Sequence, residues 1–136
     1  MAHEPPSSSA ETLSGNARRL YTAMGIVPGS AQDGRANSEV RGIADEAAPS
    51  TFALTTAVDI ALVRAASTTV QPPQQMNGTA ELNVTYLREA SGPARVACTV
   101  VGQTSTMRLV EFTVADAEGE LARGRSTYAV RTVRPR

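Results

Sequence analysis

The sequence predicts an α+β fold in which a long central helix is wrapped by a curved antiparallel β-sheet of about five to six strands. An apolar segment covers residues 50–67, a proline-rich break follows at residues 71–75, and most of the chain after that break alternates apolar and polar residues. An antiparallel sheet has one face to cover, and a single apolar helix lying along the sheet can cover it.

The predicted central helix carries only two ionisable side chains between residues 51 and 66, Asp59 and Arg64. A helix without a polar face has to be surrounded by protein, so Asp59 is predicted to lie in the interior. Burial of an unpaired carboxylate is costly, and such local conflicts tend to mark functional sites. The alternative is a structural acid that is hydrogen-bonded to Thr55, Thr56 or the nearby backbone.

The chain before the central helix is predicted to contain one helix, one loop and one strand. Residues 10–24 show apolar side chains at helical spacing, and Gly25 is expected to end that helix. Residues 26–34 include Val-Pro-Gly and Asp-Gly and are predicted to form a loop, whereas residues 35–44 are predicted to form a first strand. Ser50 is the expected N-cap of the central helix.

The chain after the proline-rich break is predicted to be almost entirely β-structure. Residues 76–89, 95–103 and 105–115 are predicted strands, because each is rich in β-branched residues or alternates apolar and polar positions. Residues 116–119 form a predicted hairpin turn into a last strand at residues 120–132. These strands are consecutive, so they are expected to pair antiparallel.

Composition excludes several classes of function. The chain has 13 basic and 13 acidic residues, which argues against a general nucleic-acid or acidic-membrane binder. Every basic residue is arginine, so a Schiff-base lysine is excluded. The single cysteine, Cys98, cannot form an internal disulfide or a multi-cysteine metal site. The only histidine, His3, falls in a Pro/Ser-rich tail at residues 1–9 that is predicted to be disordered, so no metal or cofactor is expected.

The length of 136 residues fits one domain, predicted to span residues 10–136. No segment reaches the ~18 to 20 apolar residues that a membrane span needs, and the N-terminus lacks a basic start followed by an apolar run. We therefore expect a cytoplasmic protein that does not associate with membranes.

Three segments together resemble a known family. They are Leu-Thr-Thr-Ala-Val-Asp-Ile-Ala at residues 54–61, Leu-Asn-Val-Thr-Tyr-Leu-Arg-Glu-Ala at residues 82–90, and Asp-Ala-Glu-Gly-Glu-Leu-Ala-Arg-Gly-Arg-Ser-Thr-Tyr at residues 116–128. In this order and at these spacings, the chain resembles the hot-dog fold thioesterases of the phenylacetic-acid-pathway (PaaI) and 4-hydroxybenzoyl-CoA type over residues 35–130.

The resemblance implies a thioesterase acting on acyl-CoA or an acyl-carrier protein. In that family the acid at the position of Asp59 is the general base or nucleophile, and the residue at the position of Thr79 orients the attacking water. Backbone N–H groups at the helix start of a partner subunit, here Thr51 and Phe52, would hold the oxyanion in a homodimer or homotetramer. A helix N-terminus suits this task because its free N–H groups and positive dipole end stabilise negative charge.

The start of the helix differs from the family pattern. The family commonly begins this helix with His-Gly-Gly, and Ser50, Thr51 and Phe52 occupy those positions here. A frequent upstream asparagine corresponds to Ala44. Phe52 adds bulk where glycine allows close approach, so it is expected to affect the size of the substrate.

Arginines are the candidates for binding CoA phosphates, because a guanidinium group forms paired hydrogen bonds to phosphate. Arg88 and Arg108 are predicted substrate contacts, together with Ser50 at the helix start. Arg123 and Arg125 could serve in the same way, and the alternative for each arginine is a solvated strand position. The alternative function is a non-catalytic hot-dog domain that binds an acyl ligand or acts as an assembly module.

Overall fold

A computed structural model describes residues 15–43 and 47–134, without the side chains of Asn16 and Ala17. The predicted tail at residues 1–9, the first five residues of the predicted first helix, and Ala44 lie outside the described residues.

Two helices and six strands make up the described chain. In order they are α1 (Gly15–Ala23), β1 (Ile26–Gln32), β2 (Arg35–Val40), α2 (Thr51–Ser67), β3 (Gln74–Tyr86), β4 (Ala94–Gln103), β5 (Met107–Asp116) and β6 (Gly119–Thr132). The strands form one sheet in the order β1-β2-β4-β5-β6-β3, and every neighbouring pair is antiparallel. The predicted α+β class with five to six antiparallel strands is confirmed.

The predicted loop at residues 26–34 is wrong, because most of it forms β1. Asp33 and Gly34 both have positive φ, at 51° and 75°, and they make the two-residue turn that pairs β1 with β2. Such turns match the twist of a hairpin, and Asp-Gly is a favoured sequence for them. Pro28 is tolerated because β1 is an edge strand, where a missing N–H need not break the sheet.

The central helix begins as predicted. Ser50 has an extended conformation, and its hydroxyl accepts a hydrogen bond from the backbone N–H of Ala53 at 3.1 Å. This cap satisfies one of the backbone N–H groups that the first turn of a helix leaves without partners.

One face of α2 packs against the inner face of the sheet, over β2, β4 and β5. The buried residues of this face are Ala53, Leu54, Ala57, Val58, Ala61, Leu62, Ala65 and Ala66. The opposite face is open in the single chain, where Phe52 is 74% exposed and both Asp59 and Val63 are also exposed. The prediction that Asp59 is buried is therefore wrong for the single chain, because one sheet covers only one face of a helix.

Burial differs sharply between strands. In β4 and β5 the inward side chains alternate with outward ones, and Val96, Val110 and Val114 are fully buried under α2. In β3, at the edge of the sheet, none of the 13 residues is buried. The helix therefore covers the middle of the sheet and leaves the inner face of β3 open.

Candidate active site

The start of α2 presents free backbone donors. Among the described residues, the backbone amides of Thr51 and Phe52 have no hydrogen-bond acceptor, whereas those of Ala53 and Leu54 donate to Ser50. Free amides and the positive end of the helix dipole together favour a negatively charged oxygen at this point.

Asp59 lies two turns further along α2. Its carboxylate forms no hydrogen bond or ion pair with any described residue, and partial desolvation raises its pKa above the usual value. The hydroxyl groups of Thr55 and Thr56 donate instead to the carbonyls of Thr51 and Phe52, at 2.8 and 2.9 Å. The alternative of a structural acid held by these threonines therefore finds no support, and Asp59 is free to act on a ligand.

Asp59 lines a groove of about 620 Å³ between α1, α2 and the start of β3. The walls include the apolar side chains of Ile60, Val63, Val70 and Met76. A carboxylate beside an apolar groove can act on the polar end of a molecule whose hydrocarbon part lies along the groove.

Two further groups bring charge or hydroxyls to this groove. Tyr21, from α1, has its pKa raised by burial and by the negative charge of Asp59. The Arg64 guanidinium donates to the carbonyl of Gly29 at 2.6 Å and more weakly to that of Asn37 at 3.4 Å. Arg64 therefore ties α2 to the β1–β2 hairpin and is not an ion-pair partner of Asp59.

Thr79 lies on β3, flanked by irregularities in the pairing of β3 with β6. Its partner across the sheet is Tyr128, a buried residue of the inner face. Opposed residues of an antiparallel pair point to the same face, so Thr79 lies on the side of the sheet that α2 occupies. Burial, and then the charge of Asp59, raise the pKa of Tyr128, which places Asp59 in the same neighbourhood.

Tyr86 was not predicted as a site residue. Its hydroxyl forms a hydrogen bond with the Thr55 hydroxyl and a longer one, of 3.4 Å, to the carbonyl of Thr51. Tyr86 thus links β3 to the first turn of α2. The sequence pattern assigns Tyr86 to an apolar strand face, but nothing in that pattern identifies a hydrogen-bond partner 31 residues away.

Arg88 is engaged in a structural cluster. Its guanidinium donates to both carboxylate oxygens of Asp116, at 2.9 and 2.5 Å, and to the carbonyl of Gly119 at 2.8 Å. Arg88 and the backbone amides of Ser91 and Glu118 hold the pKa of Asp116 well below its usual range. These contacts use most of the donors that Arg88 was predicted to offer to substrate.

Arg108 is only 3% exposed. Its Nε donates to the Thr69 hydroxyl at 2.8 Å, and its Nη1 donates to the carbonyl of Thr104 at 2.7 Å. These bonds fix the chain after α2 to the turn between β4 and β5. This placement argues against the predicted contact of Arg108 with substrate and favours a structural role.

Arg123 and Arg125 lie on the outer face of the sheet, away from α2. Both are exposed, and Arg123 pairs with Glu120 at 2.8 Å. Cys98 is buried in the core, and burial raises the pKa of its thiol to about 12. A thiol with that pKa is protonated at neutral pH, so Cys98 is a core residue in this structure.

The predicted site residues thus fall into separate groups. Asp59 and Thr79 lie near Tyr128, whereas Thr51 and Phe52 lie at the helix start. Thr51 precedes Asp59 by eight residues, which corresponds to about 12 Å along a helix axis. One small carbonyl group cannot contact both ends of that span.

The described residues contain no cluster of three or more histidine, cysteine or acidic side chains that could bind a metal ion. Among the helices of the described chain, none is both long and apolar enough to cross a membrane.

Solved structures share this architecture. A conserved protein from Pseudomonas aeruginosa is 23% identical, with a TM-score of 0.69, covering 82% of this chain and 93% of its own. A thioesterase from Haemophilus influenzae is 12% identical, with a TM-score of 0.69 and coverages of 83% and 82%. A thioesterase family protein from Silicibacter pomeroyi is 18% identical, with a TM-score of 0.71 and coverages of 86% and 93%.

No protein-family model and no curated protein sequence matches the chain. The structural likeness, at these identities, concerns the fold. The chain therefore has the predicted hot-dog fold, in which the antiparallel sheet wraps the long helix α2, and it shares that fold with proteins described as thioesterases.

Proposed function

We propose that the protein hydrolyses an acyl thioester carried by CoA or by an acyl-carrier protein. The observation that carries this proposal is Asp59, an unpaired carboxylate with a raised pKa beside an apolar groove. The fold supports it, because structural neighbours of this chain include thioesterases.

In the proposed reaction, Asp59 acts on the thioester carbonyl in one of two ways. As a general base, it takes a proton from water while the water oxygen attacks the carbonyl carbon. As a nucleophile, it attacks the carbon itself and forms an anhydride that water then hydrolyses. In either case the C–S bond breaks and the thiol leaves with a proton. The raised pKa makes Asp59 a stronger base, and Thr79 orients the attacking water.

The oxyanion is held by the amides of Thr51 and Phe52 from a second copy of the chain. Two turns of helix separate these amides from Asp59 of the same chain, so a single carbonyl group cannot reach both. A composite site between two copies removes this difficulty. A site that combines Asp59 of one copy with the helix-start amides of another therefore requires an oligomer.

The edge strand β3 is the proposed contact between copies. It is 13 residues long, and its outer edge has no neighbour in the sheet. An unpaired edge of this length is a template for pairing with another strand. Exposed Phe52, Leu82 and Leu87 lie on or next to β3 and the helix start. We therefore propose a homodimer or homotetramer, which light scattering at micromolar concentration tests; a monomer would contradict it.

The test of the activity is a panel of CoA and carrier-protein thioesters with aliphatic and aromatic acyl groups. We expect hydrolysis of at least one thioester, and a fall in kcat of about 10²- to 10⁴-fold in Asp59→Asn, the range for loss of a general base. Glu81→Gln is the matched control, since Glu81 is an exposed carboxylate on the same strand as Thr79. Equal turnover by the parent and Asp59→Asn would reject the assignment.

Phe52 favours a second candidate, a non-catalytic domain that binds an acyl ligand or serves in assembly. Its side chain, 74% exposed, lies beside the free amides that would hold the oxyanion. Absence of turnover with every thioester, together with tight retention of an acyl-CoA by the parent protein, would support this function instead.

A further inference from the structure

Tyr128 carries a buried hydroxyl group without a partner. The residue is 1% exposed, and its Oη forms no hydrogen bond within the described part of the chain. Most buried hydroxyl groups in folded proteins are hydrogen-bonded, so an exception of this kind needs an explanation. Removing water from a hydroxyl group without replacing its hydrogen bonds lowers stability.

The neighbours of Tyr128 in the sheet leave few partners for this hydroxyl. Arg108 opposes Tyr128 on β5, but its guanidinium donates to Thr69 and Thr104. The Ser126 hydroxyl, two residues along β6, donates to the carbonyl of Glu81 at 2.7 Å, so towards Tyr128 it can only accept a hydrogen bond. On the other side, Thr79 opposes Tyr128 across the sheet and is exposed.

Three elements bring titratable groups to this region. Burial raises the pKa of Tyr128, the nearby Ser126 and Thr79 hydroxyls lower it, and Asp59 from α2 and Cys98 from β4 raise it further. The Cys98 thiol is itself protonated at neutral pH. Tyr21 from α1 and Arg64 from the next turn of α2 line the same groove as Asp59. The proposed catalytic carboxylate is therefore close enough to Tyr128 to raise its pKa.

We propose that Tyr128 is a positioning residue whose hydroxyl donates a hydrogen bond to Thr79 Oγ1 during turnover. The core fixes the ring of Tyr128, so its hydroxyl has a defined position on the inner side of the sheet, next to β3. The bond sets the rotamer of Thr79, whose hydroxyl then holds the attacking water beside Asp59. Tyr128 transfers no proton in this scheme and touches no substrate. The inference rests on the proposed thioester hydrolysis and adds a residue to its machinery.

The experiment is a double-mutant cycle on the full chain with Tyr128→Phe and Thr79→Val, using the best thioester of the panel. Tyr128→Phe keeps the buried ring and removes only the hydroxyl. We expect kcat to fall about tenfold in each single variant with KM within about twofold of the parent, and the double variant to be no slower than the slower single one. Such non-additivity is the sign that two residues act as a unit.

Ser38→Ala is the matched control, because Ser38 on β2 also carries a buried hydroxyl that has no partner among the described residues. We expect its kcat to equal that of the parent. Parental kcat in Tyr128→Phe, or losses that simply multiply in the double variant, would overturn the positioning role while loss of activity in Asp59→Asn still supports the hydrolase. If the parent hydrolyses no thioester, or Asp59→Asn is fully active, the proposed function fails and this inference fails with it.

Discussion

The inner face of the sheet has a covered half and an open half. Under α2, inward residues of β4 and β5 such as Val96 and Val110 are fully buried, whereas Leu82 on β3 is 36% exposed. The covered half is mainly apolar, but the open half carries Thr79 and Tyr86. One helix is too narrow for six strands, and the half that it leaves open carries hydroxyl groups beside α2.

Different parts of α2 serve packing and the proposed chemistry. Its alanine-rich face packs on the sheet and fixes the helix, so the carboxylate on its other side and the free amides at its start have defined positions. A site on rigid elements needs little reorganisation when substrate binds. The open half is then available for a second copy of the chain and for the thioester.

The largest expected difference between the two halves is in core packing. Leu62→Ala removes a fully buried side chain under the covered half and should lower the free energy of unfolding by about 2–5 kcal/mol. Leu82→Ala, the matched change on β3, should cost about 1–2 kcal/mol within the chain, since Leu82 is partly solvated already. Denaturant unfolding at several protein concentrations measures both.

Any larger loss in Leu82→Ala should depend on protein concentration, because it would come from association of copies. An equal, concentration-independent loss in the two variants would show that the open half is packed as tightly as the covered one.

The next largest effect is on the pH dependence of stability, and it comes from the contacts between Arg88 and Asp116 that follow the end of β3. Arg88 follows β3, and its bonds hold the pKa of Asp116 below its usual range. A depressed pKa means that Asp116 stabilises the folded state above the unfolded pKa of about 3.9, and that this contribution is lost as pH falls towards the folded pKa. Asp116→Asn should therefore be less stable at pH 6 and lose less stability on acidification.

Thermal unfolding between pH 2.5 and pH 6 compares this variant with the parent. The difference in melting temperature between the two proteins should shrink towards the acid end of the series. A constant difference across the series would mean that Asp116 does not titrate differently on folding.

The smallest effect on stability is expected at Tyr86, which links β3 in the open half to the first turn of α2. Tyr86→Phe removes the hydroxyl that bridges β3 to Thr55 and to the carbonyl of Thr51. Loss of an ordinary hydrogen bond costs about 0.5–1.5 kcal/mol. Hydrogen exchange should show faster opening of the first turn of α2 in this variant, and unchanged exchange there would show that Tyr86 does not hold the helix start.

Most of the fold could be predicted from the sequence. Residues 50–67 are apolar and begin with a good N-cap, and the later strands alternate, so local patterns suffice for α2 and for β3 to β6. The β1 strand could not be predicted, because Pro28 and Gly29 indicate a loop and only pairing with β2 makes the segment a strand.

The candidate site could be predicted less well. Asp59 stands out locally, as a single acid in an apolar helix. The roles of Arg108 and Tyr128 depend on contacts with residues far along the chain, which no local pattern contains. Exposure of Asp59 could not be predicted either, since it depends on how much of the helix a single sheet covers.

Hybrid oligomers give the most direct test of the composite site. Thr51→Pro removes the amide at the first position of α2, where proline is well tolerated, and Ser50 already has the extended conformation that a following proline requires. Thr51→Ala, which keeps the amide, is its control. Thr51→Pro and Asp59→Asn should each be folded and nearly inactive.

The decisive measurement is thioesterase activity after the two inactive variants are unfolded, mixed in equal amounts and refolded together. If Asp59 works with the helix start of another copy, each hybrid dimer has one intact site, and the mixture should recover about one quarter of the parental activity. Activity no greater than the sum of the two separate variants, in a mixture shown to contain hybrids, would contradict a site shared between copies.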